Sequence, residues 1–143
     1  MLVAHILKTK GSAVDTIAPD ATVAAASRQL AARRIGAILV LGAGDRVVGI
    51  LSERDIARGV AIHGAKLGDM RVAELMTRNV ASCAPESTVD DIMREMTNRR
   101  VRHLPVLVEG RLVGIVSIGD VVKSRLEELA AESDMLRNYI AGG

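Results

Sequence analysis

Val48-Gly49-Ile50-Leu51-Ser52-Glu53-Arg54-Asp55-Ile56 and Val113-Gly114-Ile115-Val116-Ser117-Ile118-Gly119-Asp120-Val121 are one pattern written twice. In each, an apolar run of strand character ends at a serine, and an aspartate follows three positions later. Serine is a favoured N-cap and an acid at the third helical position completes a capping box, so the pattern predicts a strand running directly into a helix. A helix start carries unpaired N–H groups and partial positive charge that suit a phosphate, and a carboxylate one turn along suits the hydroxyls of a ribose. For one copy a capping role is sufficient explanation. Two copies at matched positions favour a ligand.

The repetition extends towards the N-terminus. Val14-Asp15-Thr16-Ile17-Ala18-Pro19-Asp20-Ala21-Thr22-Val23 aligns without a gap on Val80-Ala81-Ser82-Cys83-Ala84-Pro85-Glu86-Ser87-Thr88-Val89. Val23, Ala26 and Leu30 recur as Val89, Ile92 and Met96, the three-then-four spacing of one buried helix face. Thr22 and Thr88 are N-cap residues, Thr88 with Asp91 resembles a capping box, and Arg33-Arg34 and Arg99-Arg100 suit the helix C-termini. Each helix is followed by two apolar runs and a turn: Ala37 to Leu41 with Val47 to Leu51, and Leu104 to Val108 with Leu112 to Val116. These predict hairpins, with glycines in Gly42 to Arg46 and in Glu109-Gly110-Arg111 supplying positive φ.

Each copy therefore reads as short strand, helix, strand, strand, helix. Val3-Ala4-His5-Ile6-Leu7 matches Val72-Ala73-Glu74-Leu75-Met76 and places a short helix ahead of each copy. The expected division is residues 1–69 for the first repeat, 70–131 for the second and 132–143 for a C-terminal helical tail. The link is placed near Gly64 to Arg71. Two α+β units of β-α-β-β-α order, each with a sheet face it cannot cover alone, are expected to pack through their sheets about a pseudo-twofold axis. Function then belongs at the seam.

Two further stretches carry chemistry. Arg99-Arg100-Val101-Arg102-His103-Leu104-Pro105-Val106 brings basic side chains to the helix-to-strand junction of the second copy, and arginine binds phosphate through a bidentate fork. His103 adds a donor whose charge depends on pH near neutrality. In the first copy Gly36 and Ala37 stand where Arg102 and His103 stand in the second, so the two candidate pockets are electrostatically unequal. Thr16-Ile17-Ala18-Pro19 and Ser82-Cys83-Ala84-Pro85 are extended segments whose backbone and small side chains suit an adenine edge. Cys83 takes the place of Ile17, as an apolar packing residue.

Composition narrows the function. The 143 residues are 49% hydrophobic and 25% charged, a globular balance. A lone half of ~60 residues buries little surface, so one compact body is expected. With no Trp, no Phe and the one Tyr139, the core is aliphatic and base-stacking platforms are missing, which disfavours nucleic acid. The net charge of +2 does not argue for a polyanion. One cysteine permits no internal disulfide and points to a reducing compartment, with the cytoplasm as default. Ile35 to Gly44, the longest uncharged stretch, is too short to cross a bilayer, and no targeting signal is visible.

Sharper motifs fail. Gly59 to Lys66 is out of step with a P-loop, Gly114 to Gly119 is not a nucleophile elbow, and His5, His63 and His103 lack metal-ligand spacing. No catalytic constellation and no metal site remain. On the tail, Leu126, Leu129, Leu136, Tyr139 and Ile140 form an apolar stripe suited to the protein's own body or a twin subunit.

Together the Thr/Ser-x-Ala-Pro segments, the basic-Leu-Pro-Val strand and the Val-Gly-Ile-x-Ser-x-x-Asp corners resemble a tandem pair of cystathionine-β-synthase-type (CBS) domains, the Bateman module, of the small stand-alone bacterial kind. The resemblance covers almost the whole chain. It implies two pseudo-symmetric clefts that bind adenine nucleotides, AMP first and ATP or NAD(H) as others, and a disc-like homodimer. Carried over by residue, Asp55 and Asp120 hold ribose hydroxyls, Ser52 and Ser117 contact phosphate, and Arg102 and His103 neutralise it. Thr16, Ala18, Gly36 and Ala37 are expected to face Ser117 and Asp120, while Ser82, Ala84, Arg102 and His103 face Ser52 and Asp55. The expected function is a non-enzymatic sensor acting on an unidentified regulated protein. The alternative is a constitutive interaction scaffold with non-functional clefts.

Overall fold

The computed structural model describes residues 1–11 and 13–142. Helix α1 (Val3–Lys10) precedes strand β1 (Thr16–Ile17), helix α2 (Val23–Arg33), the hairpin of β2 (Ala37–Leu41) and β3 (Val47–Ser52), and helix α3 (Glu53–His63). A 3-10 segment over Gly64–Asp69 leads to α4 (Val72–Leu75), α5 (Val89–Arg99), the hairpin of β4 (His103–Val108) and β5 (Arg111–Ser117), and the long α6 (Ile118–Gly142). The architecture is α+β, with two small sheets and their helices.

Local chemistry sets the boundaries. Thr22 Oγ1 accepts from the Ala25 N–H and Thr88 Oγ1 from the Asp91 N–H, each at 3.1 Å, so both helices start where the threonines predict. The box expected at Thr88 is only half made, because the Asp91 carboxylate lies 3.8 Å from the Arg94 guanidinium instead of bonding back to the cap. Both helices end on an arginine in the left-handed region, Arg34 at φ 55 and Arg100 at φ 54. In the second hairpin turn Glu109 and Gly110 both have positive φ, at 52 and 78, as a tight two-residue turn requires.

The first sheet has the order β1-β2-β3, with β1 parallel and β3 antiparallel to β2. In the second sheet β4 and β5 pair alone, and a single parallel bridge from Cys83 to Val106 stands where β1 stands in the first half. The expected short strand of the second copy is thus reduced to one bridge. Strand β2 is buried from Ala37 through Val40, so both of its faces are covered.

The leading helices cross over between the halves. Val3 and Ile6 of α1 are buried with Val89, Ile92, Met96 and Leu104 of the second copy, while Val72 and Met76 are buried with Ala26, Leu30 and Ile38 of the first. Backbone bonds follow the same exchange. Val3 and Ala4 donate to Ser87 and Pro85, both at 2.9 Å, and Val72 and Ala73 donate to Ala21 at 2.8 Å and Pro19 at 2.9 Å. Glycine makes room for each crossing helix, since a Cβ on Gly49 would lie 2.5 Å from Met76 Sδ and one on Gly114 2.6 Å from Leu7 Cδ2. The matched glycines of the repeated motif therefore admit the matched residues of the opposite leader.

Helix α6 runs unbroken through the stretch expected to be a tail. Leu126, Leu129, Leu136, Tyr139 and Ile140 are all exposed on it, which leaves the body of the same chain out as their cover.

Candidate functional site

The two corners form as their sequences predict, and each is a capped helix start. Ser52 Oγ accepts from the Asp55 N–H at 3.2 Å, while Asp55 Oδ2 accepts from the Ser52 N–H at 3.0 Å and from its hydroxyl at 3.1 Å. Asp55 is buried, and its Oδ1 accepts from Thr77 Oγ1 at 3.3 Å. An ionised carboxylate offers about four acceptor positions, so the three bonds to Asp55 leave one on Oδ1. Capping and ligand contact are compatible in this geometry.

A cavity of about 440 Å³ opens beside this corner. Gly36, Ala37, Ser52 and Asp55 line it from the first copy, and Arg102 and His103 from the second. Antiparallel pairing of Ala37 with Ser52, and the Glu53 N–H bond to the Gly36 carbonyl at 3.0 Å, tie Gly36 and Ala37 to this side of the seam. This corrects the expectation that they face Ser117 and Asp120: the cavity they line holds Ser52 and Asp55 and reaches neither residue of the second corner.

Thr16, Ala18, Ser82 and Ala84 lie outside the lining of this cavity. Their polar backbone is partly spent. The Thr16 carbonyl accepts from Gln29 Nε2 at 3.3 Å, the Ala18 carbonyl from the Ala21 N–H at 3.2 Å, and the Ala84 N–H donates to Ser87 Oγ at 3.0 Å. Val80 and Ala81, just upstream of Ser82, line the cavity instead.

The lining also holds groups that motif reasoning passed over. Arg54 and Arg58 lie four apart on α3 and join Arg100 and Arg102, against the carboxylates of Glu53 and Asp55. Among the described residues none of the four arginines forms an ion pair. Thr77 and Asn79 enter from the segment after α4. The i, i+4 arginines following the corner were a usable signal; the Thr77 contact, made across the crossing leader, had none.

His103 sits between the corners. It pairs with Ser117 across the hairpin, and a Cβ on Gly36 would lie 3.9 Å from its Cε1. Burial pushes its pKa below the ordinary 6.5, helped by the charges of Lys10 and Arg102 and opposed by Asp120 and Glu53. His103 is therefore a neutral hydrogen-bonding group at neutral pH rather than a cation. Burial likewise pushes the Cys83 thiol up to about 11, in keeping with packing against the second core.

The second corner carries the same cap but a different neighbour. Asp120 Oδ2 accepts from the Ser117 N–H at 2.9 Å and the Asp120 N–H donates to Ser117 Oγ at 3.2 Å. Lys10 Nζ then reaches Asp120 Oδ2 at 2.6 Å and the Ile115 carbonyl at 3.0 Å. Burial alone would raise the Asp120 pKa, but the bonds from Lys10 and Ser117 outweigh it and hold the carboxyl below its usual range. The 440 Å³ cavity reaches neither Ser117 nor Asp120. Among the described residues there is no cluster of His, Cys, Asp and Glu able to hold a metal ion, and no helix is long and apolar enough to cross a membrane.

A repeat doubled about a seam, with leaders exchanged and a cavity lined by both halves, defines a paired-repeat module. Comparison with known proteins identifies the pair. The CBS domain matches residues 6–62 and 72–127, and the chain belongs to that family. It is 32% identical to the mitochondrial CBS domain-containing protein CBSX3 of Arabidopsis thaliana, over 99% of this chain and 72% of that one. The crystal structure of the CBS-domain protein ATU1752 of Agrobacterium tumefaciens shares 45% identity at a TM-score of 0.84, covering 87% of this chain and 99% of that one. The CBS domain pair of MJ0100, solved with 5-methylthioadenosine and S-adenosyl-L-methionine, shares 25% identity at a TM-score of 0.79, covering 90% and 98%. CBS-domain pairs are in general regulatory, non-catalytic modules.

Proposed function

We propose that the chain is a cytoplasmic, non-enzymatic sensor that binds an adenine nucleotide in the cavity beside Ser52 and Asp55. AMP leads the candidates, with ATP and NAD(H) beside it. The observation that carries the reading is the cavity of about 440 Å³ in which a buried carboxylate from one copy meets arginines from both. That volume lies within the usual range of small-molecule sites, about 300–1,000 Å³.

In this reading the spare acceptor on Asp55 takes a ribose hydroxyl. The start of α3 and the arginines take the phosphate, with neutral His103 adding a hydrogen bond. Four arginines against two carboxylates favour a phosphorylated ligand over a neutral nucleoside. Because both copies line the cavity, a ligand that prefers one arrangement of the halves shifts the population towards it. The exposed stripe on α6 supplies a face for a homodimer through which such a shift is transmitted to a regulated protein.

Calorimetric titration with AMP, ADP, ATP, NAD, NADH and S-adenosylmethionine tests the reading, with sedimentation to follow the dimer. Saturable binding of a phosphorylated adenosine is the expected result. The capping role that Ser52 and Ser117 already fill is the observation on the side of the scaffold alternative, and absence of binding across the panel would overturn the sensor reading in its favour.

A further inference from the structure

The second corner repeats the Ser-x-x-Asp geometry of the first, yet its carboxylate is engaged from outside by a cation of the same chain. Lys10 ends α1, the leader that crosses onto the second half, and its ammonium bridges Asp120 Oδ2 and the Ile115 carbonyl at the end of β5. Counted from Val3 and Val72, Lys10 corresponds to Asn79, which is shorter, uncharged and part of the lining of the open cavity. The outside partner of Asp55 is likewise neutral, the Thr77 hydroxyl. The contrast between corners thus lies in what each crossing leader lays on the aspartate.

We infer that Lys10 is the residue that decides how many ligands the chain holds: its ammonium, bonded to Asp120 Oδ2 and the Ile115 carbonyl, neutralises the carboxylate and covers the corner at Ser117 and Asp120, so the protein takes one ligand per chain and keeps a second site latent. The inference rests on the proposed nucleotide binding. The Lys10 side chain is about one-third exposed and Asp120 about one-fifth, so the lysine is a removable cover rather than part of the core.

The test is the stoichiometry of AMP and of ATP, titrated separately into the full chain, for wild type, Lys10→Asn and Lys10→Asn with Asp120→Ala. Thermal melting confirms that each variant is folded. One site in wild type, two in Lys10→Asn and one again in the double variant is the expected pattern. Two sites in wild type, or one in a folded Lys10→Asn, overturns the role of Lys10 and leaves nucleotide binding standing. No binding of either probe by wild type and Lys10→Asn overturns the binding reading, and this inference with it.

Discussion

The Ser52–Asp55 and Ser117–Asp120 corners are made from the same four-residue logic and end up in different electrostatic states. At the first, every donor to the aspartate is neutral and a cavity lies alongside. At the second, an ammonium sits 2.6 Å from the carboxylate and the cavity stops short. The motif itself is not the cause. Thr77 and Lys10 both arrive on leaders that cross from the opposite copy, so in this fold the chemistry of a repeated corner is set by the other half.

The largest effect expected from that comparison is at Asp55. Asp55→Ala removes a buried acceptor used by Ser52 and Thr77 and the group assigned to the ribose. It is expected to weaken AMP binding at least tenfold by calorimetry and to cost ~1–3 kcal/mol of stability in denaturant unfolding, the usual range when buried donors lose their acceptor. Asp120→Ala is expected to leave wild-type binding nearly unchanged, because its partner Lys10 can turn to water. Equal losses in the two variants would erase the distinction between corners.

Next in size are the glycines that admit the leaders. Gly49→Ala places a Cβ 2.5 Å from Met76 Sδ and 3.0 Å from the Thr77 carbonyl, which is backbone and cannot swing away. Gly114→Ala meets only the Leu7 side chain at its nearest approaches. Overpacking of this kind costs about 1–3 kcal/mol, and Gly49→Ala is expected to melt at the lower temperature of the two. Because the displaced Thr77 is bonded to Asp55, Gly49→Ala is also expected to lower AMP affinity, while Gly114→Ala is not.

How far these features were legible in the chain depends on their range. Strand β2 falls over Ala37–Leu41 as expected, because five apolar residues stand between Gly36 and Gly42. The caps at Thr22, Ser52 and Thr88 were equally local. The leader exchange was not legible: the match of Val3–Leu7 to Val72–Met76 reveals kinship but not which core each enters. Lys10 and Asp120 lie 110 positions apart, and no spacing rule joins them. The side of the seam that Gly36 and Ala37 line was not legible either: the hairpins pair Ala37 with Ser52 and His103 with Ser117 alike, yet both residues line the one cavity, so how the halves close decides it.

The smallest effect expected concerns His103, which feels both corners at once. Its folded-state pKa lies below the ordinary 6.5, so the unfolded chain binds a proton more readily. The stability this contributes is present above pH 6.5 and declines as pH falls through that value; His103→Gln should flatten the decline in melting temperature. Lys10 pushes the pKa down and Asp120 pushes it up. Lys10→Asn should therefore raise the imidazole midpoint followed by NMR, whereas Asp120→Ala should lower it. A phosphate in the neighbouring cavity acts in the direction of Lys10→Asn by attracting a proton to the ring. AMP is accordingly expected to raise the His103 midpoint in the same NMR titration. A midpoint that AMP leaves unmoved would place the phosphate away from His103, and with it away from the Arg102 side of the seam.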